Sequence, residues 1–368
     1  MPITPSDLRC EYAVRPLGIA TSSPRLSWKL NGSERGQRQT GYQIQVAQDD
    51  AFAGILWDSG KVLSDRSLLV PYEGDSLRTG RRYYWRVRAW DQEGVEGQWS
   101  PAEFWEMGLL HESDWKAYWI GRQSERSPLL RKAFTLRESP TQATLFVCGL
   151  GYHECYLNGR KVGDHVLDPA FTRYDRRALY VAHDVTDQLL AGENVLGAML
   201  GNGWYNCQTK EVWSFEHAPW RDTPKLLLQL HATYPDGSQE TIVSDTTWRI
   251  SDGPIVFDAL RNGEFYDARE EREGWTVSGY DDSGWAHAEN VASPGGAITP
   301  QTMPPCRVMR TLEPVSVGEV RDGVWVYDLG QNIAGWAQLT VDAPRGTEIV
   351  LRYAEKLKDD GDIDQSNI

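Results

Sequence analysis

The sequence lacks long hydrophobic runs and a recognisable targeting segment. It contains no stretch of about 18 apolar residues, the length needed for a membrane-spanning helix. Its first residues, MPITPSDLRC, have neither the basic region nor the apolar region of a secretory signal. We therefore expect a cytoplasmic protein without a membrane partner.

Basic residues are in deficit. The chain has 38 Lys and Arg residues against 52 Asp and Glu residues, which gives a formal net charge of −14. An acidic surface repels the phosphates of nucleic acids, so nucleic acid is excluded as an expected partner. The same charge favours neutral or cationic ligands.

Cysteine and histidine are scarce and scattered. No two cysteines have C-x-x-C spacing, which excludes a zinc ribbon and a thioredoxin-like motif, and we expect free thiols. No histidine has a second histidine or an acidic partner at metal-ligand spacing, so we predict no histidine metal site. The cysteines are Cys10, Cys148, Cys155, Cys207 and Cys306, and the histidines are His111, His153, His165, His183, His217, His231 and His287.

Phenylalanine is also scarce, but the other aromatic residues are abundant. The chain has 16 Trp and 16 Tyr against 8 Phe. Trp and Tyr combine a flat apolar face with a polar edge, and sugar rings have the complementary character. The cores of β-sandwiches also use Trp and Tyr, so both carbohydrate contact and core packing are consistent with this composition.

Helical periodicity is almost absent, and short alternating segments separated by Gly, Pro, Asn and Asp predict an all-β fold. We expect a fibronectin type III-like β-sandwich over residues 1–110 and a larger, jelly-roll-like β-sandwich over residues 113–292. Residues 303–368 are predicted to form a third β-domain. Because about 60 residues seldom make an independent sandwich, we expect that domain to be incomplete.

Individual motifs support these assignments. In RRYYWRVRAW, Tyr83, Trp85, Val87 and Ala89 alternate with more polar neighbours, and Leu77 with Tyr83 resembles the leucine and corner tyrosine of a fibronectin type III domain. Asn158-Gly159 is the dipeptide preferred in a two-residue hairpin turn, and Asp236-Gly237 is another. In the third unit, VWVYDLGQNIAGWAQLTVDAPRGTEIVLRYAE is predicted to form three or four strands.

Several stretches resemble the N-terminal half of bacterial α-L-rhamnosidases, a family of inverting glycoside hydrolases. They are GEFYDAR, VYDLGQNIAGW, PRGTEIVLRYAE, DGDIDQSN and the long segment from YLNGRKVGD to LGNGWY. The resemblance implies that an (α/α)₆ catalytic barrel follows these domains in the family. The expected partners are therefore the missing C-terminal catalytic domain and rhamnose-containing glycosides or polysaccharides, and we expect the chain alone to be inactive.

The resemblance also implies that the second unit is a candidate calcium-dependent rhamnose-binding module. The candidate sugar-binding residues are Asn158, Asp168, Asn202, Trp204 and Tyr205, and the candidate Ca²⁺ ligands are Asn158, Asp164 and Asp168. Calcium prefers six to eight oxygen ligands, and Trp204 is suited to stacking on a sugar ring. The alternative is structural: Asn158-Gly159 forms the hairpin turn, and Trp204 shapes a core corner.

The carboxylates of GEFYDAREE are the other candidates for chemistry. An inverting glycosidase needs two carboxyl groups about 6.5–9.5 Å apart. We interpret Glu264, Asp267, Glu270 and Glu271 as a turn-capping segment with an Asp267–Arg269 ion pair, and we predict no catalytic residue in this chain.

Three functions remain open from the sequence. The first is the accessory part of an α-L-rhamnosidase. The second is a free-standing, lectin-like protein, and the third is an adhesive array of fibronectin-type domains. Hydrolysis of an aryl rhamnoside separates the first from the other two only if the chain is complete, and we expect no turnover by this chain.

Overall fold

The computed structural model describes residues 2–124, 126–210 and 213–366. It is an all-β protein, as the sequence predicts. The helices of the described residues are single 3₁₀ turns, at Glu112–Asp114, Thr186–Gln188, Phe215–His217 and Ala268–Glu270. None of the helices in these ranges has the length and apolar content needed to cross a bilayer.

The first unit is a sandwich of a three-stranded and a four-stranded sheet. The strand orders are β1-β2-β5 and β4-β3-β6-β7. The strands are β1 Thr4–Cys10, β2 Arg25–Asn31, β3 Gly41–Ala47, β4 Ile55–Asp58, β5 Val70–Pro71, β6 Arg82–Trp90 and β7 Glu103–Glu106.

The alternation predicted for β6 is confirmed. Its odd-numbered residues from Tyr83 to Ala89 are buried, whereas Tyr84, Arg86 and Arg88 are half-buried. Successive side chains of a strand point to opposite faces, so the apolar set enters the core between the two sheets. There it packs with residues such as Trp28 and Trp105.

The corner predicted from Leu77 and Tyr83 is also present. The backbone N–H of Arg78 donates a hydrogen bond of 2.8 Å to the Tyr83 hydroxyl, and both Leu77 and Tyr83 are buried. This bond joins the connection before β6 to the strand itself, as in the tyrosine corner of β-sandwiches.

The second unit is a larger sandwich of a seven-stranded and a six-stranded sheet. The main strand order of the first sheet is β22-β8-β16-β10-β14-β23, with β17 paired to β16, and that of the second is β12-β11-β15-β9-β18-β21. The strands are β8 Ile120–Gly121, β9 Pro128–Leu136, β10 Gln142–Leu150, β11 Tyr152–Leu157, β12 Arg160–Lys161, β13 His165–Val166, β14 Arg177–Asp184, β15 Gly192–Gly201, β16 Lys225–Thr233, β17 Gln239–Val243, β18 Arg249–Asp252, β19 Ile255–Ala259, β20 Gly263–Tyr266, β21 Ala286–His287, β22 Glu289–Asn290, β23 Ala297–Pro300 and β24 Cys306–Arg307.

Strand β10 contributes to two separate cores. Leu145 and Val147 face the space between the two sheets and join its aliphatic core. Phe146 and Cys148 face the opposite side, where they share a second core with Tyr180 of the neighbouring β14 and with Tyr205. Because both faces of β10 are buried, its residues are apolar almost without alternation, as expected for a central strand.

Both predicted hairpins of the second unit form. Asn158 and Gly159 have φ angles of 51° and 81° between β11 and β12. Asp236-Gly237 lies in the connection between β16 and β17. All five cysteines are free thiols, as the sequence predicts.

The third unit differs from the expectation. Its strands among the described residues are β25 Ser316–Arg321, β26 Val324–Asp328, β27 Lys356–Leu357 and β28 Ile363–Asp364, which form two separate hairpins. The prediction of three or four strands over 324–355 is wrong for 329–354, which form none. A strand needs a neighbour for its backbone hydrogen bonds, and no described segment pairs with this one. After Gly296, none of the described residues is buried.

Candidate functional site

The candidate site residues predicted from the sequence fall into three places in the second unit. Asn158 lies at the β11–β12 hairpin, and Asp164 and Asp168 lie in the loop around β13. Asn202, Trp204 and Tyr205 follow the end of β15. The structure therefore does not bring the whole predicted set together.

Asn158 is engaged in holding its own hairpin. Its side-chain nitrogen donates to the backbone oxygen of Gln188 at 2.9 Å and to Asn194 Oδ1 at 2.8 Å. Its side-chain oxygen accepts a hydrogen bond of 2.9 Å from the backbone N–H of Val195. These contacts agree with the structural interpretation of Asn158, because its amide is directed to the neighbouring β15 and its preceding loop.

Asp164 and Asp168 lie on either side of His165. Asp164 accepts a hydrogen bond of 2.8 Å from Arg307 Nε. Asp168 lies 2.7 Å from His165 Nδ1 through one oxygen, and its other oxygen accepts a bond of 3.2 Å from Gln301. Because these carboxylates are paired with nitrogen donors and Asn158 bonds elsewhere, the three residues do not form an oxygen cage suited to Ca²⁺. Calcium binding by this set stays a prediction.

This loop brings together candidate metal ligands that the sequence-based prediction of no histidine metal site did not anticipate. His165, Asp168 and His183 each offer a ligand atom within 4.8 Å of the others, and we call these three residues the histidine–aspartate cluster. The His165 and His183 ring centroids are 4.9 Å apart. The i, i+3 spacing of His165 and Asp168 was a signal that the spacing argument missed, whereas His183 is brought in by the pairing of β14 within its sheet.

The cluster is in a buried environment, which changes its titration. Burial, followed by the charges of His165 and His153, lowers the pKa of His183 to about 3. Burial also lowers the pKa of His153, which lines the same cavity. Burial acts to raise the pKa of Asp168, but the hydrogen bond with His165 and the charge of His153 outweigh it and lower that pKa. At neutral pH, Asp168 is therefore a charged carboxylate, and the imidazoles of His183 and His153 are uncharged.

Asn202 bridges β15 to β19. Its backbone N–H donates to Asp258 Oδ1 at 2.9 Å, and its side-chain nitrogen lies 3.2 Å from Asp258 Oδ2. Ser127 donates a further hydrogen bond to Asp258. Asn202 is buried, so its role in the structure is to fix the β19–β20 hairpin beside the end of β15.

Trp204 and Tyr205 have different environments although they are adjacent. Tyr205 is 1% exposed and packs edge-on against Tyr174, so it belongs to the core and does not present a face to solvent. Trp204 is half-buried at the surface. It belongs to an assembly of five aromatic residues that we call the aromatic shelf: Phe171, Trp204, Trp213, Phe215 and Trp220.

The aromatic shelf presents two accessible rings. Trp213 is 58% exposed and Phe171 is 42% exposed, while Phe215 lies between them in contact with both. The Nε1 atom of Trp220 is buried and has no hydrogen-bond partner among the residues that the structure describes. An exposed aromatic surface is chemically suited to the apolar face of a sugar ring.

The β19–β20 hairpin forms a polar rim beside the shelf. The Arg261 guanidinium lies 5.4 Å from the centre of a Trp213 ring, and Thr209 donates to Asn262 at 2.7 Å. The sequence-based reasoning missed Phe171, Trp213 and Arg261. Their only sequence signal is the abundance of aromatic residues, because they come from segments that are far apart in the chain.

The carboxylates of GEFYDAREE are placed as the sequence predicts. Asp267 caps the 3₁₀ turn at Ala268–Glu270 and pairs with Arg269 at 2.6 Å. Glu270 pairs with Arg126 and Glu271 with the Tyr266 hydroxyl. Glu264 lies opposite Asp258 across β19 and β20, and burial together with this second carboxylate raises its pKa.

Comparison with known proteins matches three family models in order along the chain. Residues 5–111 match the Rha78A-like, N-terminal immunoglobulin domain. Residues 138–310 match the α-L-rhamnosidase N-terminal domain, and residues 318–368 match the bacterial α-L-rhamnosidase concanavalin-like domain.

Individual relatives agree with these matches. A curated α-L-rhamnosidase of Formosa agariphila is 38% identical over 94% of this chain and 40% of its own length. A solved α-L-rhamnosidase structure from Dictyoglumus thermophilum is 35% identical, with a TM-score of 0.89 over 98% of this chain and 42% of that one. The Streptomyces avermitilis α-L-rhamnosidase solved with L-rhamnose is 27% identical, with a TM-score of 0.94 over 99% of this chain and 52% of that one.

The fold and the matches together define the class of protein as a series of β-domains of a kind found in glycosidases. More specifically, the chain belongs to the bacterial α-L-rhamnosidases and corresponds to their N-terminal part. It spans about 40% of the length of the Formosa relative. Nothing in these matches favours the alternative of a free-standing, lectin-like protein.

Proposed function

We propose that this chain is the accessory, non-catalytic portion of an enzyme that hydrolyses terminal α-L-rhamnose from glycosides or polysaccharides with inversion. The observation that carries this proposal is the order of the three matched domains, all of which belong to α-L-rhamnosidases. In this proposal the catalytic carboxylates come from the part of the enzyme beyond the matched domains.

The carboxylates of the chain support an accessory role. Inversion needs an acid and a base that leave room for a water molecule between them. Asp267 and Glu270 are instead paired with arginines, and Asp258 accepts hydrogen bonds from Ser127 and Asn202. These partners hold the carboxylates in structural contacts.

The test is hydrolysis of an aryl α-L-rhamnoside by the purified chain and by a full-length relative assayed in parallel. We expect turnover by the relative and none by the chain. Turnover by the chain that disappears in Glu264→Gln would overturn the proposal, because it would place the chemistry on the β19–β20 hairpin. The Asp281→Asn variant is a suitable control, since Asp281 lies outside that hairpin and accepts its bond from the backbone of Ser283.

Within this enzyme, the aromatic shelf is the proposed surface for holding rhamnose-containing chains. The exposed rings of Trp213 and Phe171 suit the C–H face or the methyl group of rhamnose, and Arg261 and Asn262 lie at the polar rim where hydroxyl groups would be directed. Trp204 supports both rings from below.

Titration with L-rhamnose and a rhamnose oligosaccharide tests the shelf. Trp213→Ala is expected to weaken binding by about 1 kcal/mol, roughly fivefold. Tyr118→Ala is the matched control, because Tyr118 is equally exposed at 58% but lies outside the shelf. Unchanged affinity in Trp213→Ala and in Trp204→Ala, with the fold intact by circular dichroism, would contradict a binding role.

Calcium dependence belongs to the same proposal and is measured separately. The titration is repeated in excess Ca²⁺ and in EDTA. Binding that needs Ca²⁺ and is lost in Asp164→Asn would support the ligand set predicted from the sequence, whereas equal affinity in both buffers would leave sugar binding to the shelf alone.

A further inference from the structure

The cavity beside the histidine–aspartate cluster has the size and lining of a small-ion site. Its volume is about 10 Å³, and His153, His165, Asp168 and His183 are among the residues that line it. A cavity of this size accommodates about one water-sized particle. Its lining includes three imidazoles and the carboxylate of Asp168, together with Glu154, Cys155, Lys161 and Val162.

His183 is the informative member of the cluster. It is buried, and its ring centroid lies 4.9 Å from that of His165. Its ring lines the small cavity together with His165 and Asp168, so the ligand atoms of three side chains converge on one space. An uncharged imidazole offers a lone pair, which binds a cation.

We propose that His165, Asp168 and His183 bind a divalent transition-metal ion of the Zn²⁺ type, with a water molecule as the fourth ligand. Two imidazoles and a carboxylate form a ligand set that zinc accepts in tetrahedral geometry. The ligand atoms lie within 4.8 Å of one another, a separation that a small inward movement around the ion closes.

The surrounding charges are compatible with a cation. The two basic side chains nearest the cluster are already paired, Lys161 with Glu154 at 2.6 Å and Arg307 with Asp164 at 2.8 Å. Arg307 also lies 3.2 Å from His165 Nε2. Because arginine only donates, this contact places the His165 proton on Nδ1, where it is shared with Asp168. Metal binding at Nδ1 requires that proton to move to Nε2, which breaks the contact of Nε2 with Arg307, while Arg307 keeps its bond to Asp164.

A second layer of contacts holds the ligands in place. Gln301 donates to the second oxygen of Asp168 at 3.2 Å. Ligating carboxylates and imidazoles are usually oriented by such bonds. The ion would therefore join the loop around β13 to β14, and through the pairing of His165 with Arg307 it would also hold β24.

The experiment uses the whole chain, freed of any polyhistidine tag and of bound metal. It is titrated calorimetrically with Zn²⁺, Ca²⁺ and Co²⁺, and the visible absorption of the Co²⁺ form is recorded. We expect one equivalent of Zn²⁺ to bind, Co²⁺ to give the intense spectrum of a tetrahedral site, and Ca²⁺ to give no heat. Thermal unfolding should shift upward with Zn²⁺.

Variants distinguish the cluster from adventitious sites. His183→Gln and Asp168→Asn should lose the binding event, and Gln301→Ala should weaken it by about 10-fold or more. His217→Ala is the matched control and should bind normally, because the His217 side chain is 82% exposed and lies away from the cluster. Circular dichroism checks that each variant is folded.

Two results would overturn the proposal. One is Zn²⁺ binding that is absent from the wild-type chain or unchanged in both His183→Gln and Asp168→Asn. The other is a response to Ca²⁺ without a response to Zn²⁺, which would assign the loop to oxygen ligands. The outcome does not depend on rhamnosidase activity.

Discussion

Arg82 of the first unit and Asp184 of the second unit form an ion pair with a nitrogen–oxygen distance of 2.7 Å. Arg82 also pairs with Glu106 at 3.0 Å, and Glu106 is completely buried. Glu106 in turn accepts a hydrogen bond from Gln142 at 2.9 Å and another from Thr144. The ends of β6, β7, β10 and β14 are thereby joined in one polar network between the two sandwiches.

This network predicts a large effect of Arg82→Ala on stability. The change leaves the buried carboxylate of Glu106 without its cation, and removing one partner of a buried ion pair costs about 3–5 kcal/mol. Arg15→Ala is the control, because the Arg15 side chain is 58% exposed in its pair with Glu103, and an exposed pair contributes less than about 1 kcal/mol. Urea denaturation measures the free energy of unfolding of both variants. Equal losses of stability in the two variants would contradict the role assigned to Arg82 in the buried network.

The corner tyrosine predicts a smaller, local effect. Tyr83→Phe removes the acceptor of the Arg78 N–H and leaves that donor beside a buried ring, which costs about 1–3 kcal/mol. Tyr84→Phe should change the free energy of unfolding by less than about 0.5 kcal/mol, since Tyr84 points to the opposite face of β6. A Tyr83→Phe variant as stable as the wild type would show that the corner bond is replaced by water.

The lowered pKa of His183 predicts that the free energy of unfolding falls on acidification. Its pKa is lowered from 6.5 to about 3 in the folded chain, so below about pH 6.5 the unfolded chain binds a proton that the folded chain does not. The stabilisation is complete above pH 6.5 and is lost as the pH falls toward the folded pKa. Each histidine with a lowered pKa contributes up to about 1.4 kcal/mol per pH unit to the slope of the free energy of unfolding against pH.

Urea denaturation at several pH values between about 6.5 and 5 measures this slope. His183→Gln should reduce it, and His153, whose pKa is lowered in the same direction, should account for part of the remainder. Asp164, Asp168 and His165 also face His183, but the lowered pKa values of the two carboxylates place their titration below this range. An unchanged slope in His183→Gln would contradict the buried, uncharged state of this imidazole.

The third unit predicts self-association. Trp325 and Tyr327 lie on one face of β26, and both are more than half exposed, as is Val315 nearby, while Val317 is 50% exposed. A contiguous apolar surface of this kind favours contact with another protein surface. We expect sedimentation velocity to show concentration-dependent association that Trp325→Lys with Tyr327→Lys reduces. A wild-type chain that stays monomeric at high concentration would contradict this prediction.

The sequence by itself determined the features that depend on near neighbours in the chain. The alternation of β6 follows from the period of two of a strand, and the turn at Asn158-Gly159 follows from the need for two positive φ angles. The Asp267–Arg269 pair also lies within a single turn. The all-β class follows from the repetition of such local signals.

The tertiary structure decided everything that depends on distant segments. His183 meets His165 and Asp168 only because the β13 loop folds against β14, and Trp213 meets Phe171 and Trp204 only because three loops converge at the end of β15. Asn158 was a plausible ligand until its amide was found bonded to Asn194 and Val195. A side chain's partners across the fold are set by sheet register and loop packing, and a strand such as that predicted within 329–354 forms only where a neighbour supplies its hydrogen bonds.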